Sequence, residues 1–153
     1  MLSCYDVANY FLTQISEDAG DLISNLKLQK LVYYAQGFHL ALYDEPLFPE
    51  PLEAWTNGPV VPELFRHYKK YESGAIPCPK GVDFSIYDEE TRSFLDEVYS
   101  VFGQFSAWKL YNLTLEEAPW KLTAGNGHKK ISHQSLKKYF QTQLNYEEEG
   151  DDE

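Results

Sequence analysis

The sequence predicts a mainly α protein: a compact, single-domain bundle of about six helices, with a short β-hairpin or edge strands near residues 47–60. Three observations lead to this prediction. Apolar residues recur at helical intervals in several segments, and serine or aspartate residues that can cap a helix stand before them. A proline-rich stretch with an Asn57-Gly58 turn pair interrupts these segments. At 153 residues the chain fits one domain with one core.

The first two helices are predicted from their caps and their apolar spacing. Ser3 begins a capping-box pattern, and a helix is expected from about Cys4 to Ile15. The polar residues 16–21 suit a loop. Ser24 can then cap a longer helix from Asn25 to about Tyr43. Apolar residues cover several faces of this second helix, which indicates a central helix contacted from several sides.

Prolines shape the segment after the second helix. Pro46 ends that helix because proline cannot continue it. Pro49 and Pro51 lack backbone donors, so a strand between Leu47 and Trp55 should lie at a sheet edge or in a two-stranded pair. The Asn57-Gly58 pair predicts a tight turn, since both residues tolerate positive φ.

The second half of the chain predicts further helices around a turn-rich connector. Pro62 suits the first position of a third helix. Within the connector, residues 82–87 can form a short strand, and Pro119-Trp120 suggests a packed corner. Caps and apolar periodicity predict the remaining helices at Glu89 to about Gln104, Ala107 to Thr114 and His133 to about Leu144.

The charge of the chain is strongly acidic. It carries 13 basic and 24 acidic residues, a formal net charge of −11, and six of the acids follow Tyr146. Residues 1–144 are therefore expected to form the domain, and residues 145–153 an acidic, disordered tail. Without that tail the net charge is still −5, which disfavours direct binding to nucleic acid.

The apolar runs and the cysteines set the expected compartment. The longest apolar runs are far shorter than the roughly 20 residues that span a bilayer, so no membrane partner is expected. No secretion signal stands at the beginning of the sequence, which predicts a cytoplasmic protein. Cys4 and Cys78 show no paired spacing and are expected to be free thiols.

Residues that could support catalysis do not form a recognisable site. Gly125 to Lys130 contains two glycines but lacks a flanking strand and the spacing of a nucleotide-binding loop. The four histidines show no metal-ligand spacing, and His39 is expected to be a satisfied or exposed helical residue. Glu116 and Glu117 are expected to be surface carboxylates. The sequence thus predicts no catalytic, cofactor-binding or metal site, and no enzyme.

Aromatic residues are the strongest functional signal from composition. Twelve tyrosines and three tryptophans exceed what a core of this size holds comfortably. Tyrosine and tryptophan on a surface favour protein interfaces because they give a large contact area at low entropic cost. The expected class is therefore a protein-binding module.

Several blocks of the chain closely resemble the Panacea, or SocA-like, antitoxin domain, which also occurs in phage-associated GepA-like proteins. The blocks are KLQKLVYYA, PLF, EAW, GPVVPEL, LTLEEAPW and ISHQSLKKYF. The sequence departs from the family at Asn57, Phe65 and Leu115, which stand where an aromatic residue, a tyrosine and a histidine are usual. The residues that carry the signature, most of them expected to be structural, are Lys27, Leu28, Gln29, Lys30, Leu31, Tyr33, Tyr34, Pro46, Leu47, Phe48, Glu53, Trp55, Gly58, Pro59, Val60, Pro62, Thr114, Pro119 and Trp120.

The resemblance implies a mainly helical antitoxin that neutralises a cognate protein toxin by direct contact. Such a toxin is usually encoded beside its antitoxin, and toxic small alarmone synthetase-like enzymes are among the toxins of the family. An alternative is an adaptor or regulatory protein-binding module, which delivers a partner to a protease or acts in phage-related regulation. The residues expected to contact the toxin are Trp55, Asn57, Pro59, Arg66, Tyr68, Tyr71 and Trp108.

Overall fold

The computed structural model describes residues 1–15 and 22–151, with side chains described as far as Leu144. Within this part, seven α-helices and three short strands confirm the predicted mainly α class. The loop predicted at residues 16–21 and the side chains of the predicted tail lie outside the described residues. In chain order the elements are α1 (Cys4–Thr13), α2 (Asn25–Tyr43), β1 (Leu52–Trp55), β2 (Gly58–Val60), α3 (Pro62–Tyr68), α4 (Glu89–Phe102), α5 (Ala107–Glu116), α6 (Ala118–Gly125), β3 (Lys130–Ile131) and α7 (His133–Asp151).

Helix α2 is the centre of the fold, as its many apolar faces predict. It packs against α1, α4, α5, α7 and the hairpin. Its bounds match the prediction: Ser24 caps the first turn by accepting a hydrogen bond from the backbone N–H of Lys27, and Asp44 ends the helix in the left-handed conformation, at φ 58°. Most of its residues are buried, including Leu31 and Tyr33, which are fully buried.

The closest helix packing joins α2 to α7 at Gly37. A Cβ atom at this position would overlap the aromatic ring of Phe140, which is buried in α7. Glycine therefore allows the α7 ring to lie directly on the α2 backbone. Phe140 also contacts the rings of Tyr33 and Phe38, at centroid distances of 5.5 and 4.7 Å.

The three strands form one antiparallel sheet in the order β2-β1-β3. The predicted hairpin is confirmed, with Trp55 opposite Gly58 in the β1–β2 register. The expectation that the first strand lies at an edge was wrong, because β1 also pairs with β3 through Leu52 and Ile131. Pro49 and Pro51 precede β1, so they remove no hydrogen bond from its ladder.

One further local prediction was wrong, and another was incomplete. Residues 82–87 contain a 3-10 helix, Phe84–Ile86, in which the Asp83 side chain accepts a hydrogen bond from the backbone N–H of Ser85. The corner at Pro119 is the first turn of another helix, α6, which raises the helix count from about six to seven in the described residues. A single extended residue, Glu117, separates α5 from α6.

Helix α7 was predicted to end near Leu144, and in the structure it includes His133–Asp151. The division of the chain into a domain at 1–144 and a tail at 145–153 stays a prediction. Of the helices in the described residues, none combines the length and the apolar character that crossing a bilayer requires.

Candidate functional site

Buried amide side chains of α2 fix the backbone that leads into and out of the hairpin. Gln36 accepts a hydrogen bond from the Leu47 N–H at 2.7 Å and donates one to the Phe48 carbonyl at 2.9 Å. Gln29, one turn after the start of α2, accepts a hydrogen bond from the Val61 N–H at 2.9 Å. Both glutamines are essentially unexposed. Because an unpaired buried amide is costly, these bonds specify where the hairpin lies on α2.

A second layer of the same network positions Gln29 itself. Its amide nitrogen donates to the Asn25 side-chain oxygen at 2.9 Å, and the Asn25 nitrogen donates to the Phe65 carbonyl at 3.0 Å. The start of α2 is thereby hydrogen-bonded both to α3 and to Val61, the residue that precedes α3. The glutamines and asparagine of α2, which the sequence leaves without assigned partners, all serve this one structural purpose.

Lys30 lies fully buried beneath the turn of the hairpin. Its ammonium donates to the Pro59 carbonyl at 3.2 Å, and in the described residues no carboxylate lies within ion-pair distance. Burial lowers the pKa of Lys30 to about 7. Gly58, at φ 91°, leaves room for it: a Cβ there would lie 3.0 Å from Lys30 Cε and 3.1 Å from Thr114 Oγ1. Lys30, Gly58 and Thr114, which all belong to the family signature, are thus neighbours in the structure.

Glu117 corrects the expectation that both adjacent glutamates are surface carboxylates. Glu116 is exposed and pairs with Lys121 at 3.5 Å, whereas Glu117 is half-buried. Its two carboxylate oxygens accept hydrogen bonds from the Tyr33 hydroxyl at 2.8 Å and the Tyr34 hydroxyl at 2.9 Å. The extended backbone between α5 and α6 directs this side chain toward α2.

The surroundings of Glu117 make it a weak acid. Burial raises the pKa of its carboxyl group to about 7, although the two tyrosine hydroxyls favour the charged form. The carboxylate in turn contributes to raised pKa values of Tyr33 and Tyr34, whose largest cause is their own burial. Each of its carboxylate oxygens accepts a hydrogen bond from a buried tyrosine hydroxyl of α2, so we assign it a structural role.

Next to this network, the hairpin turn and α5 form a surface that contains exposed polar and aromatic side chains. Asn57 and Trp108 are exposed, the latter by 71%, and Trp55 is half-buried. The Tyr111 hydroxyl donates to the Thr56 carbonyl at 3.3 Å, and the Tyr111 and Trp108 rings lie 5.8 Å apart. We call these five residues the hairpin surface. The structure therefore brings together three residues of the predicted toxin-contact set.

Trp55 is held rigidly within the hairpin surface. Its indole N–H donates to Glu53 Oε1 at 2.8 Å, and its carbonyl accepts from the Trp120 indole at 2.8 Å. The Phe65 ring meets the Trp55 ring edge-on, at a centroid distance of 5.4 Å. A fixed aromatic side chain loses little entropy on binding, which suits an interface anchor.

The other predicted contact residues lie elsewhere. Pro59 and Tyr68 are buried, so their side chains support the surface rather than form it. Arg66 is exposed on α3, and Tyr71 is half-buried in the 3-10 helix that follows, Lys69–Tyr71. The remaining signature residues are buried or half-buried, and their structural role stays a prediction: Lys27, Leu28, Leu31, Pro46, Leu47, Phe48, Glu53, Val60, Pro62, Pro119 and Trp120.

One group of side chains in the described residues has the composition of a metal site. The ligating atoms of Cys4, Glu50 and Glu63 lie within 4.8 Å of one another. Each already has a hydrogen-bonding role, since Glu50 accepts from the Cys4 N–H at 2.9 Å and Glu63 accepts from its thiol at 3.8 Å. Burial and the two carboxylates raise the pKa of the Cys4 thiol, which keeps it protonated and opposes metal binding.

Comparison with known proteins points to one family. A family model described as "Antitoxin SocA-like, Panacea domain" matches residues 28–121, the segment that contains most of α2, the hairpin and Glu117. An antitoxin SocA from Caulobacter vibrioides (strain NA1000 / CB15N) is 50% identical over 113 residues, which cover 67% of this chain and 60% of the relative. The match therefore spans less than two thirds of that relative. No solved structure gives a significant match.

Proposed function

Because the chain belongs to the family of SocA-like antitoxins with a Panacea domain, we propose that it is the antitoxin of a toxin–antitoxin pair. It neutralises a cognate protein toxin by direct protein–protein binding, without catalysis and without a cofactor. The toxin is the product of the adjacent gene, and small alarmone synthetase-like enzymes are a class to which it can belong. The protein acts in the cytoplasm.

The observation that carries this proposal is the way α2 holds the hairpin. Gln29, Lys30 and Gln36 use buried hydrogen bonds to fix a short hairpin whose turn side chains point to solvent. A buried polar network of this kind costs stability unless every partner is in place, so it favours a single geometry. A preorganised surface with aromatic anchors is what a specific protein partner requires.

The hairpin surface is the proposed toxin contact, with Trp55, Asn57 and Trp108 as its central residues. Arg66 on α3 and Tyr71 in the 3-10 helix that follows are proposed as further contacts outside the hairpin surface. Pro59 and Tyr68 act from beneath, by holding the turn and the end of α3. Trp108 is the strongest anchor in the proposal because 71% of it is exposed in the free protein and would be covered in the complex.

A growth assay with the adjacent gene product tests the function and the anchor together. Co-expression of the wild-type chain should restore growth to cells that express the adjacent gene. Trp108→Ala should weaken the complex by about 2 kcal/mol or more, the usual cost of removing an interface tryptophan. Ile86→Ala is the matched control, since Ile86 is also exposed and lies outside the hairpin surface.

Two outcomes would contradict the proposal. If the wild-type chain neither restores growth nor co-purifies with the adjacent gene product, the antitoxin function fails. If binding is intact and Trp108→Ala behaves like Ile86→Ala, the toxin binds another surface.

A further inference from the structure

A second exposed surface lies at the other end of α2, where its last two turns face α4. An apolar groove of about 190 Å³ runs between these helices. Phe38 and Leu42 line it from α2, and Phe94, Val98 and Val101 line it from α4. Leu144 of α7 lies at its edge. We call it the α2–α4 groove.

Apolar side chains of the groove are exposed to solvent. Leu42 is 51% exposed and Val101 41%. Single exposed apolar residues are ordinary on protein surfaces, but a group of them along one groove marks an interaction site. A groove between two helices, with apolar side chains at helical spacing on its walls, is the shape that accepts an amphipathic helix.

The charges around the groove determine the chemistry of the partner. Glu97 lines the groove, and Glu90 lies two turns earlier on the same side of α4, beside Phe94 and Tyr43. Asp88 and Glu89 border the same region at the start of α4.

From this apolar floor and acidic rim we propose that the α2–α4 groove binds a basic amphipathic helix of the cognate toxin. The apolar face of that helix covers Leu42 and Val101, and its lysine or arginine side chains meet Glu90 and Glu97. This inference rests on the proposed antitoxin function and adds a second contact surface to it. Complementary charge would speed association and select the partner.

The acidic rim disfavours other occupants. A second copy of this chain carries the same charge of −11, so two rims would repel each other. Nucleic acid and anionic lipid surfaces would be repelled for the same reason. A basic segment of a protein satisfies both the apolar and the acidic features of the groove.

The two proposed contact surfaces are separated along α2. Lys30, beneath the hairpin, and Leu42, in the groove, are twelve positions apart in the sequence, which corresponds to about 18 Å along a helix. Variants of one surface should therefore leave the other surface unchanged in structure, and the two can be tested separately.

The closing experiment measures the affinity of purified variants for the purified product of the adjacent gene. Leu42→Ser with Val101→Ser removes the apolar floor, and Glu90→Lys with Glu97→Lys reverses the rim. Each pair should weaken binding about tenfold or more, since central apolar contacts and charges facing the partner both contribute to affinity. The charge-reversed pair should also reduce the dependence of affinity on salt.

Matched controls separate this surface from general effects. Leu122→Ser removes an apolar group that is 61% exposed on α6, and Glu116→Lys reverses an exposed charge on α5. Both should leave affinity within about twofold, as surface substitutions outside an interface do. Circular dichroism and the melting temperature establish that each variant is folded.

The outcomes distinguish the two proposals. If the wild-type chain does not bind the adjacent gene product, the antitoxin function fails. If the wild type binds and both groove pairs bind equally well, the function stands and the groove proposal is overturned. A change in the oligomeric state of the free chain, with unchanged toxin affinity, would assign the groove to a second copy and also overturn the proposal.

Discussion

Two ionisable side chains, Lys30 and Glu117, are withdrawn from solvent without forming an ion pair with each other. Among the described residues, Lys30 donates to a carbonyl, and Glu117 accepts from two tyrosine hydroxyls. Burial moves the pKa of each toward 7, from above for the lysine and from below for the glutamate. Each side chain therefore makes the free energy of unfolding depend on pH.

Glu117 gives the clearer test of this dependence. Its folded pKa of about 7 lies above the ordinary value of 4.5, so the folded state keeps its proton over a range where the unfolded state has lost it. Its contribution to stability is full below pH 4.5 and is lost as pH rises through 7. The melting temperature of Glu117→Gln should therefore exceed that of wild type by a margin that grows as the pH rises from 4.5 to 7.

The neighbouring glutamate supplies the control for this measurement. Glu116 is exposed and pairs with Lys121 at the surface, so Glu116→Gln should follow the wild-type melting curve across the same pH range. If Glu117→Gln also follows it, the carboxyl group of Glu117 is not the weak acid that the structure indicates.

At the scale of the elements, the fold depends on how closely α7 approaches α2. Adding a methyl group at Gly37 would force Phe140 away from the α2 backbone. Gly37→Ala should lower the free energy of unfolding by about 1–3 kcal/mol, as overpacking usually does. Denaturant titration measures this change. Combining Gly37→Ala with Phe140→Leu should recover part of the lost free energy of unfolding, and a double-mutant cycle measures this recovery.

A second helical glycine controls for intrinsic helix propensity. A Cβ at Gly125, the last residue of α6, would have no atom within 4 Å, so Gly125→Ala should be neutral or slightly stabilising. A similar loss for both substitutions would mean that close packing at Gly37 is not the cause.

The elements that local chemistry determines were predictable from sequence. The Ser3, Ser24, Asp88 and Ser106 side chains accept hydrogen bonds from the first turns of their helices, as their spacing predicts. The two-residue strand β3 was missed because its pairing with β1 joins positions far apart in the sequence and has no local periodicity.

The candidate site shows the same division between local and long-range information. A tight turn near Asn57-Gly58 was predictable because both residues tolerate positive φ, and the hairpin is confirmed. The turn itself consists of Thr56 and Asn57, and the positive φ occurs at Gly58, the first residue of β2. The burial of Glu117 depends on the approach of α2 to the α5–α6 connection, which no short pattern contains. Two adjacent tyrosines on a central helix were the available signal, since buried hydroxyls need partners.

At the scale of the whole molecule, one central helix supports two proposed contact surfaces. The first half of α2 holds the hairpin surface through buried hydrogen bonds, and its second half forms one wall of the acidic groove. The net charge of −11 would complement the basic toxin helix proposed above and would steer its association at low salt. Two such surfaces would serve the proposed function of binding a toxin.

Direct binding is therefore the central claim, and calorimetric titration of the purified chain into the purified product of the adjacent gene tests it most directly. The account predicts saturable heat at a fixed stoichiometry, with a Kd below about 1 µM, equivalent to roughly −8 kcal/mol. It also predicts one complex peak in size-exclusion chromatography with light scattering. Absence of heat and separate elution of the two proteins, while co-expression still restores growth, would show that neutralisation is indirect and would contradict the account.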